Sequence, residues 1–222
     1  VDNYVGSQNT TYLVYSYLMD GNLYDVQDID GSALAYRYDT MGRVFEDEDM
    51  REGGYDKEYT FDRFGNRATM LVMDENYDDQ YEVTYAYDLN NRLLTETKED
   101  IAGTTGTTVT TYTYDANGSQ LTKVTVDGTE TRTYNGFGQL TEITGPGGSS
   151  SFAYRPDGLR YSKTTGSGNA AVTHIHLWDG QNIVAEAGVS GVINTRYIRG
   201  VGLVAREMDS ALQYYQFNAH GD

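Results

Sequence analysis

The sequence predicts an all-β protein of stacked antiparallel β-hairpin repeats, which together form a curved, twisted and open sheet. Three observations predict this fold. The 222 residues include 21 Tyr and 25 Gly but only 2 Pro, and tyrosine suits half-buried strands whereas glycine suits turns. Aromatic and polar residues alternate in short runs, which is typical of strands. One turn pattern also returns along most of the chain.

The recurring turn pattern consists of an aromatic residue, Asp, two variable residues and Gly. Its first, aromatic position is called the anchor below. Full and degenerate copies have their anchors at Tyr17, Tyr38, Phe61, Tyr87, Tyr114, Tyr134 and Tyr154. Successive anchors lie 20 to 27 residues apart. This near-constant period indicates an internal repeat, and Trp178 also occupies an anchor position in a later segment.

The residue types in this pattern predict a tight turn. An Asp at the first turn position accepts backbone N–H bonds from residues further along, and a Gly at the last adopts a positive φ without a clash. We therefore assign a structural role to the turn-motif residues. These are Tyr38, Asp39, Gly42, Phe61, Asp62, Gly65, Tyr87, Asp88, Tyr114, Asp115, Gly118, Tyr134, Gly138, Tyr154 and Gly158.

Each repeat contains two strands, one fixed turn and one free turn of variable length. Before an anchor the residues alternate, so that Tyr81, Val83 and Tyr85 share one face of a strand. The free turn is as short as the pair Asp127 and Gly128, a standard hairpin signal. Because one hairpin cannot bury its aromatic face alone, we expect neighbouring hairpins to pair and to bury their tyrosines in rows.

Charge is distributed unevenly along the chain. Residues 1–111 contain 23 acidic and 8 basic side chains, whereas residues 112–222 contain 10 and 8. Two domains would explain this difference, but the repeat crosses the midpoint without interruption. We therefore predict an N-terminal tail or partial repeat at residues 1–11 and one array of about ten units at residues 12–222, truncated at its C-terminus. Because terminal repeats normally need caps, we also expect end-to-end self-association.

Composition excludes several classes of function. The formal net charge of −17 argues against a nucleic-acid partner, because phosphates would repel the chain. The absence of Cys excludes disulfides and thiolate chemistry. No run of 18 apolar residues occurs, so we expect no membrane insertion.

Candidate metal ligands and catalytic groups are few. His174 and His176 lie two residues apart on a predicted strand and share a face, but no third ligand is evident. The acidic residues at 46–49 and 74–79 offer oxygen ligands of the kind that calcium prefers. A solvated acidic face and ordinary sheet packing explain these residues more simply. We predict no metal, no cofactor and no catalytic residue, and thus a protein that is not an enzyme.

The anchor motifs resemble those of the YD-repeat, or rearrangement-hotspot (Rhs), proteins. The runs Tyr38–Gly42 and Tyr114–Gly118 are similar to the defining motif of that family. Segments 177–186, 196–205 and 214–222 resemble the units that end its repeat arrays. The resemblance covers the chain from about residue 12 to its end.

The resemblance implies a structural role. In similar proteins, which include bacterial polymorphic toxins, wall-associated proteins and teneurins, the repeats form a hollow β-shell that encloses a C-terminal segment or supports adhesion. It implies a secreted or cell-surface bacterial protein whose partner is the rest of a longer polypeptide, including the enclosed segment. The family's self-cleavage motif, Asp-Pro-x-Gly-Leu, has no match, and we interpret the superficially similar segment 155–159 as a turn. Carbohydrate binding or adhesion through the aromatic rows, with glycans as partners, is the alternative.

Overall fold

The computed structural model describes residues 2–5, 8–28, 31, 33–103, 105–208, 210–215 and 217. Over these residues the protein contains 21 β-strands, a single 3-10 turn at Gly168–Ala170 and no α-helix. The strands pair with their sequence neighbours in antiparallel hairpins. The predicted all-β fold of antiparallel hairpin repeats is confirmed.

The chain divides into two compact units. The first comprises Val1–Thr111 and Phe217–Asp222, and the second comprises Tyr112–Gln216. The predicted boundary between residues 11 and 12 stays a prediction. Part of the last predicted end-of-array segment, residues 216 and 218–222, lies outside the described residues.

The first unit contains a small hairpin and a longer antiparallel meander. Strands β1 (Asp2–Val5) and β2 (Gln8–Tyr12) pair only with each other within the described part of the chain. The meander follows the sequence order β3 (Val14–Tyr17), β4 (Leu23–Gln27), β5 (Ala33–Tyr38), β6 (Val44–Asp49), β7 (Asp56–Phe61), β8 (Arg67–Met73), β9 (Asp79–Tyr87), β10 (Leu93–Asp100) and β11 (Thr107–Tyr114). Strand β11 begins in this unit and ends in the next.

The second unit continues the same hairpin pattern. Its strands are β12 (Gln120–Thr125), β13 (Gly128–Tyr134), β14 (Leu140–Gly145), β15 (Gly148–Tyr154), β16 (Arg160–Thr165), β17 (Val172–Asp179), β18 (Asn182–Ala187), β19 (Ile193–Arg199), β20 (Leu203–Met208) and β21 (Ala211–Tyr214). Consecutive strands from β12 to β21 are paired. Every fixed turn therefore lies at one end of its unit's strands, and every free turn lies at the other end.

Register shifts recur where the anchors meet the following strand. Tyr38 pairs with Val44, but its neighbour Arg37 pairs with Glu46, so Phe45 is an extra residue on β6. In the second unit Tyr154 pairs with Arg160, while Ala153 pairs with Ser162. Such bulges increase the local twist of a strand pair. The repeat thus places a defined twist beside each fixed turn.

Buried residues are sparse in both units. In the first unit, Val72 is only 1% exposed and Val83 and Met73 are buried. The tyrosines of the predicted rows, Tyr85 among them, are half-buried and not fully buried. The reason is that a single layer of paired strands covers each ring with its neighbours in the same row, which leaves part of the ring exposed.

Candidate functional site: the repeated turn and its links between repeats

The fixed turn after Tyr38 closes around one carboxylate. The Asp39 backbone N–H donates to the Arg43 carbonyl oxygen at 2.9 Å, and the Gly42 N–H donates to the Asp39 carbonyl oxygen at 3.0 Å. Asp39 Oδ1 accepts the N–H groups of Met41 at 2.8 Å and Arg43 at 3.0 Å. One side-chain oxygen therefore satisfies two backbone donors that the turn would otherwise leave without a partner.

The same four-bond pattern occurs in both units. Asp62, Asp88, Asp115 and Asn135 each exchange two backbone bonds across their turns. Their Oδ1 atoms also accept the N–H groups two and four residues ahead, at 2.8 to 3.0 Å. Asn135 makes these bonds without a charge, so the turn requires an oxygen acceptor and not a carboxylate.

The fourth residue after the Asp also belongs to the turn, although it is not part of the predicted motif. Arg43 Nε donates to Asp39 Oδ2 at 2.7 Å, and Arg92 Nε donates to Asp88 Oδ2 at 2.6 Å. Asn66 Nδ2 fills the same role at Asp62. The signal was present, since a polar side chain recurs at this place in each of these copies.

These bonds lower the pKa of the turn carboxyl groups. The main cause of the lowered pKa of Asp39 is the backbone N–H of Arg43. The equivalent N–H of Arg92 lowers the pKa of Asp88, and the side-chain amide of Asn66 lowers that of Asp62. Hydrogen bonds to the charged form of a carboxyl group favour that form.

The last turn position has a left-handed backbone. Gly118 has φ of +90°, and no atom lies within 4 Å of the position that its Cβ would occupy. In the degenerate copy after Tyr87, Asn91 takes this place with φ of +60°. Asparagine is among the few residues that tolerate this region. Segment 155–159 forms a fixed turn with the same pair of backbone bonds, although Arg155 replaces the Asp.

Anchor hydroxyls link one repeat to the preceding one. Tyr38 Oη donates to the Leu23 carbonyl oxygen at 2.8 Å, and Tyr87 Oη donates to that of Arg67 at 2.9 Å. In the second unit, Tyr134 donates to Gln120 at 2.9 Å and Tyr154 to Leu140 at 2.8 Å. In every case the acceptor is the first residue of the strand that follows the preceding fixed turn.

Two anchors replace this link with other chemistry. Trp178 uses its indole Nε1, which donates to the Arg160 carbonyl oxygen at 3.0 Å. Phe61 has no polar atom, and the guanidinium carbon of Arg43 lies 4.2 Å from the centre of its ring. A cation over an aromatic face is attractive. A further anchor, Tyr114, is the last residue of β11.

The aromatic face, meaning the sheet face that carries the anchors, contains a tyrosine–carboxylate pair in each unit. Tyr59 Oη donates to Asp47 Oδ2 at 2.7 Å, and burial raises the pKa of Tyr59. Tyr197 Oη donates to Glu186 Oε1 at 2.9 Å, and burial together with this bond raises the pKa of Tyr197 to about 12. Both phenols thus remain protonated donors at neutral pH.

The candidate metal ligands lie beside other groups of the chain. His176 is buried, with Nδ1 3.1 Å from the Arg160 carbonyl oxygen, and His174 Nδ1 lies 3.5 Å from Glu186 Oε2. Within residues 46–49, Glu46 is 3.2 Å from Arg37 and Asp47 is 3.3 Å from Lys57. Across the described part of the chain, no group of three or more metal-binding side chains is arranged to hold an ion.

Membrane-spanning helices are absent from the residues that the structure describes: none of its helical segments is long and apolar enough to cross a bilayer.

Part of the repeat array matches a known family of repeats. Residues 114–150 match the model of the RHS Repeat family. The chain is 29% identical over 182 residues to two curated nucleases, tRNA nuclease WapA of Bacillus subtilis and tRNA3(Ser)-specific nuclease WapA of Bacillus spizizenii. The match covers 79% of this chain and 7% of each nuclease. This chain therefore matches a small part of each curated relative.

A solved structure shares the fold. The Tc holotoxin pore of Photorhabdus luminescens superimposes with a TM-score of 0.59 at 15% identity, over 95% of this chain and 13% of the toxin chain. At this identity the likeness concerns the fold alone. Together with the family match, it confirms the predicted resemblance to the Rhs-repeat proteins.

Proposed function

Because residues 114–150 match the RHS Repeat family, we propose that this chain is a structural, encapsulating segment of a longer secreted or cell-surface bacterial protein of the polymorphic-toxin or wall-associated type. On this proposal the segment performs no catalysis. Its partner is the remainder of the same polypeptide, whose C-terminal part it encloses.

The links between repeats are the observation that carries this proposal. Polar atoms of the anchors are used to join the chain to itself, as in the bond from Tyr134 Oη to the Gln120 carbonyl oxygen. The turn oxygens are likewise occupied, since Asp39 Oδ1 accepts two backbone N–H groups. Groups engaged in this way hold adjacent strands together and are not free to bind or transform a substrate.

The charge of the chain supports the proposal that the repeats and any toxic activity belong to different parts of the parent protein. The two curated relatives are named as tRNA nucleases, whereas this segment has a net charge of −17, which repels RNA phosphates. On our proposal any toxic activity resides outside these residues, and the repeats contain it.

Limited proteolysis of the full-length parent protein tests the proposal. We expect the segment C-terminal to the repeats to resist protease in the native protein. Combined Asp39→Ala, Asp62→Ala and Asp88→Ala substitutions remove the turn acceptors and should make that segment cleavable. Thr40→Ala, in a variable turn position, is the matched control. Equal cleavage of the C-terminal segment in the native and triple-variant proteins would refute enclosure.

A second candidate function, carbohydrate binding, is favoured by one cleft in the second unit. The cleft has a volume of about 640 Å³ and is lined by Phe137, Phe152 and Tyr154, together with Arg155 and Asp157. Phe137 is 90% exposed, and exposed aromatic rings stack on sugar rings. Calorimetric titration with defined glycans tests it: saturable binding that Phe137→Ala abolishes supports an adhesion role, and no heat with any glycan rejects it.

A further inference from the structure

A separate cavity lies in the first unit, at the free-turn ends of β7 to β10. Its volume is about 450 Å³, within the range of ordinary small-molecule sites. Its lining includes Tyr55, Lys57, Val72, Tyr81 and Lys98. None of these residues belongs to the fixed turns, so the scaffold described above does not account for their grouping.

Both lysines of the acidic first half of the chain line this cavity. Residues 1–111 have a net charge of −15, and Lys57 and Lys98 are the only lysines among them. An ammonium group at this cavity that has no carboxylate partner would attract an anion.

The two lysines differ in what neutralises them. Lys57 Nζ lies 3.3 Å from Asp47 Oδ1. Lys98 Nζ lies 3.5 Å from the centre of the Tyr81 ring, and it has no ion pair among the residues that the structure describes. Asp100, which also lines the cavity, accepts bonds from the Gly103 N–H and the Thr105 hydroxyl. The charge of Lys98 is therefore left for a ligand.

The remaining lining suits a ring that has an apolar face. Val72 lies at the base of the cavity and is 1% exposed, so it closes the cavity on its apolar side. The Tyr55 and Tyr81 rings add aromatic surface, and Tyr55 is 50% exposed. Aromatic side chains bind planar rings through stacked or edge contacts.

We propose that this cavity binds a small ring compound that carries one carboxylate group and no other charge. The carboxylate pairs with the Lys98 ammonium, and the ring contacts the two tyrosines. A single charge fits best because Asp47 and Asp100 lie nearby and would repel a dianion. An aromatic acid and a uronic acid share this chemistry, and the experiment distinguishes them.

Titrations monitored by two-dimensional NMR of the backbone amides test the proposal on the whole chain. The probes are benzoate and glucuronate, with benzyl alcohol and glucose as their neutral counterparts and inorganic phosphate as a second anion. We expect saturable shifts at Val72, Tyr81 and Lys98 with at least one carboxylate, and affinity about tenfold lower for its neutral counterpart. Saturable shifts with benzoate but not with glucuronate identify an aromatic acid site. Saturable shifts with glucuronate but not with benzoate identify a sugar acid site.

Substitutions separate a charge-specific site from an apolar crevice. Lys98→Gln should weaken carboxylate binding about tenfold, and Lys98→Arg should retain most of it. Lys123→Gln, which removes a lysine 6.0 Å from the Tyr112 ring and outside the cavity, should leave binding unchanged. Melting curves verify that each variant is folded. Equal binding of neutral and charged probes, full affinity in folded Lys98→Gln, preference for phosphate, or no saturable shift would each overturn the proposal.

Discussion

The two units share turns and strands but differ in the sheet face opposite the aromatic face. In the first unit one cross-strand row on that face is mostly charged. It consists of Arg37, Glu46, Glu58, Leu71, Glu82 and Glu99. The corresponding row in the second unit is mostly hydroxylic and consists of Thr133, Glu142, Ser151, Thr164 and Thr173. The same backbone therefore carries two very different surfaces.

This difference shows which residues the fold depends on. Like charges opposite one another destabilise a sheet, yet the strands of the acidic row pair in the first unit as regularly as those of the hydroxyl row pair in the second. The shared features are the turn bonds and the anchor links, which are alike at Asp39 and at Asn135. The opposite face is free to vary, and in the first unit Arg37 offsets part of its repulsion by pairing with Glu46 and Glu48.

The largest expected effect concerns the different cores of the two units. Val72→Ala in the first unit should lower the free energy of unfolding by about 2–3 kcal/mol, because it removes buried methyl groups and leaves a cavity. The second unit has an alanine, Ala205, at a site with 1% exposure. There the informative change is Ala205→Leu, which should cost about 1–3 kcal/mol through overpacking. Urea unfolding measures both, and a neutral Val72→Ala would show that β8 is not part of a core.

A change at the last turn position should have the next largest effect. Gly118→Val should destabilise the protein by about 1–3 kcal/mol, because φ there is +90° and a β-branched residue is strained in that region. Since Asn91 occupies this place in the first unit, Gly118→Asn should cost distinctly less than valine. Thermal unfolding of the two variants checks the order, and equal melting temperatures would count against backbone strain as the cause.

Removing an anchor hydroxyl should have a smaller effect in either unit. Tyr87→Phe and Tyr134→Phe each delete one bond to a carbonyl oxygen of the preceding repeat, at an expected cost of about 0.5–1.5 kcal/mol. Similar losses of unfolding free energy in the two units would show that the strength of the link does not depend on the side chains of the sheet face opposite the anchors. Phe64→Leu, at an exposed turn tip, is a control that should unfold like the native protein.

The smallest expected effect is a difference in acid sensitivity. The pKa of Asp39 is lower in the folded protein than its ordinary value, so the unfolded chain binds more protons near and below about pH 4. The stability that this carboxylate contributes is present above that pH and is lost as the pH falls through the folded-state pKa. Asn135 makes the same turn without a charge.

Exchanging these two residues tests the acid effect. Asp39→Asn should make the melting temperature fall less between about pH 6 and pH 3, and Asn135→Asp should make it fall more. The melting temperature at each pH is the measurement. If both variants follow the native curve, the turn carboxylates do not contribute to acid unfolding.

Local chemistry explains how far the sequence predicts this protein. Asp39 and Gly42 mark a turn because their preferences for hydrogen bonding and for positive φ act within five residues. Alternation around Tyr85 indicates a strand for the same reason. The role of Arg43 was missed because a long cationic side chain after a turn has many possible partners. The grouping of Lys57 with Lys98 was missed because the two are 41 residues apart in the chain and meet only through pairing across β7 to β10.

The secondary structure, the repeat and the kind of turn follow from the order of residues within one hairpin, because they depend on near neighbours. The carbonyl oxygen that each anchor hydroxyl reaches, the burial of each ring and the charges that share a cavity follow only from how the strands assemble. Those outcomes depend on the register between strands, and register is set jointly by turn geometry, bulges and packing across the sheet.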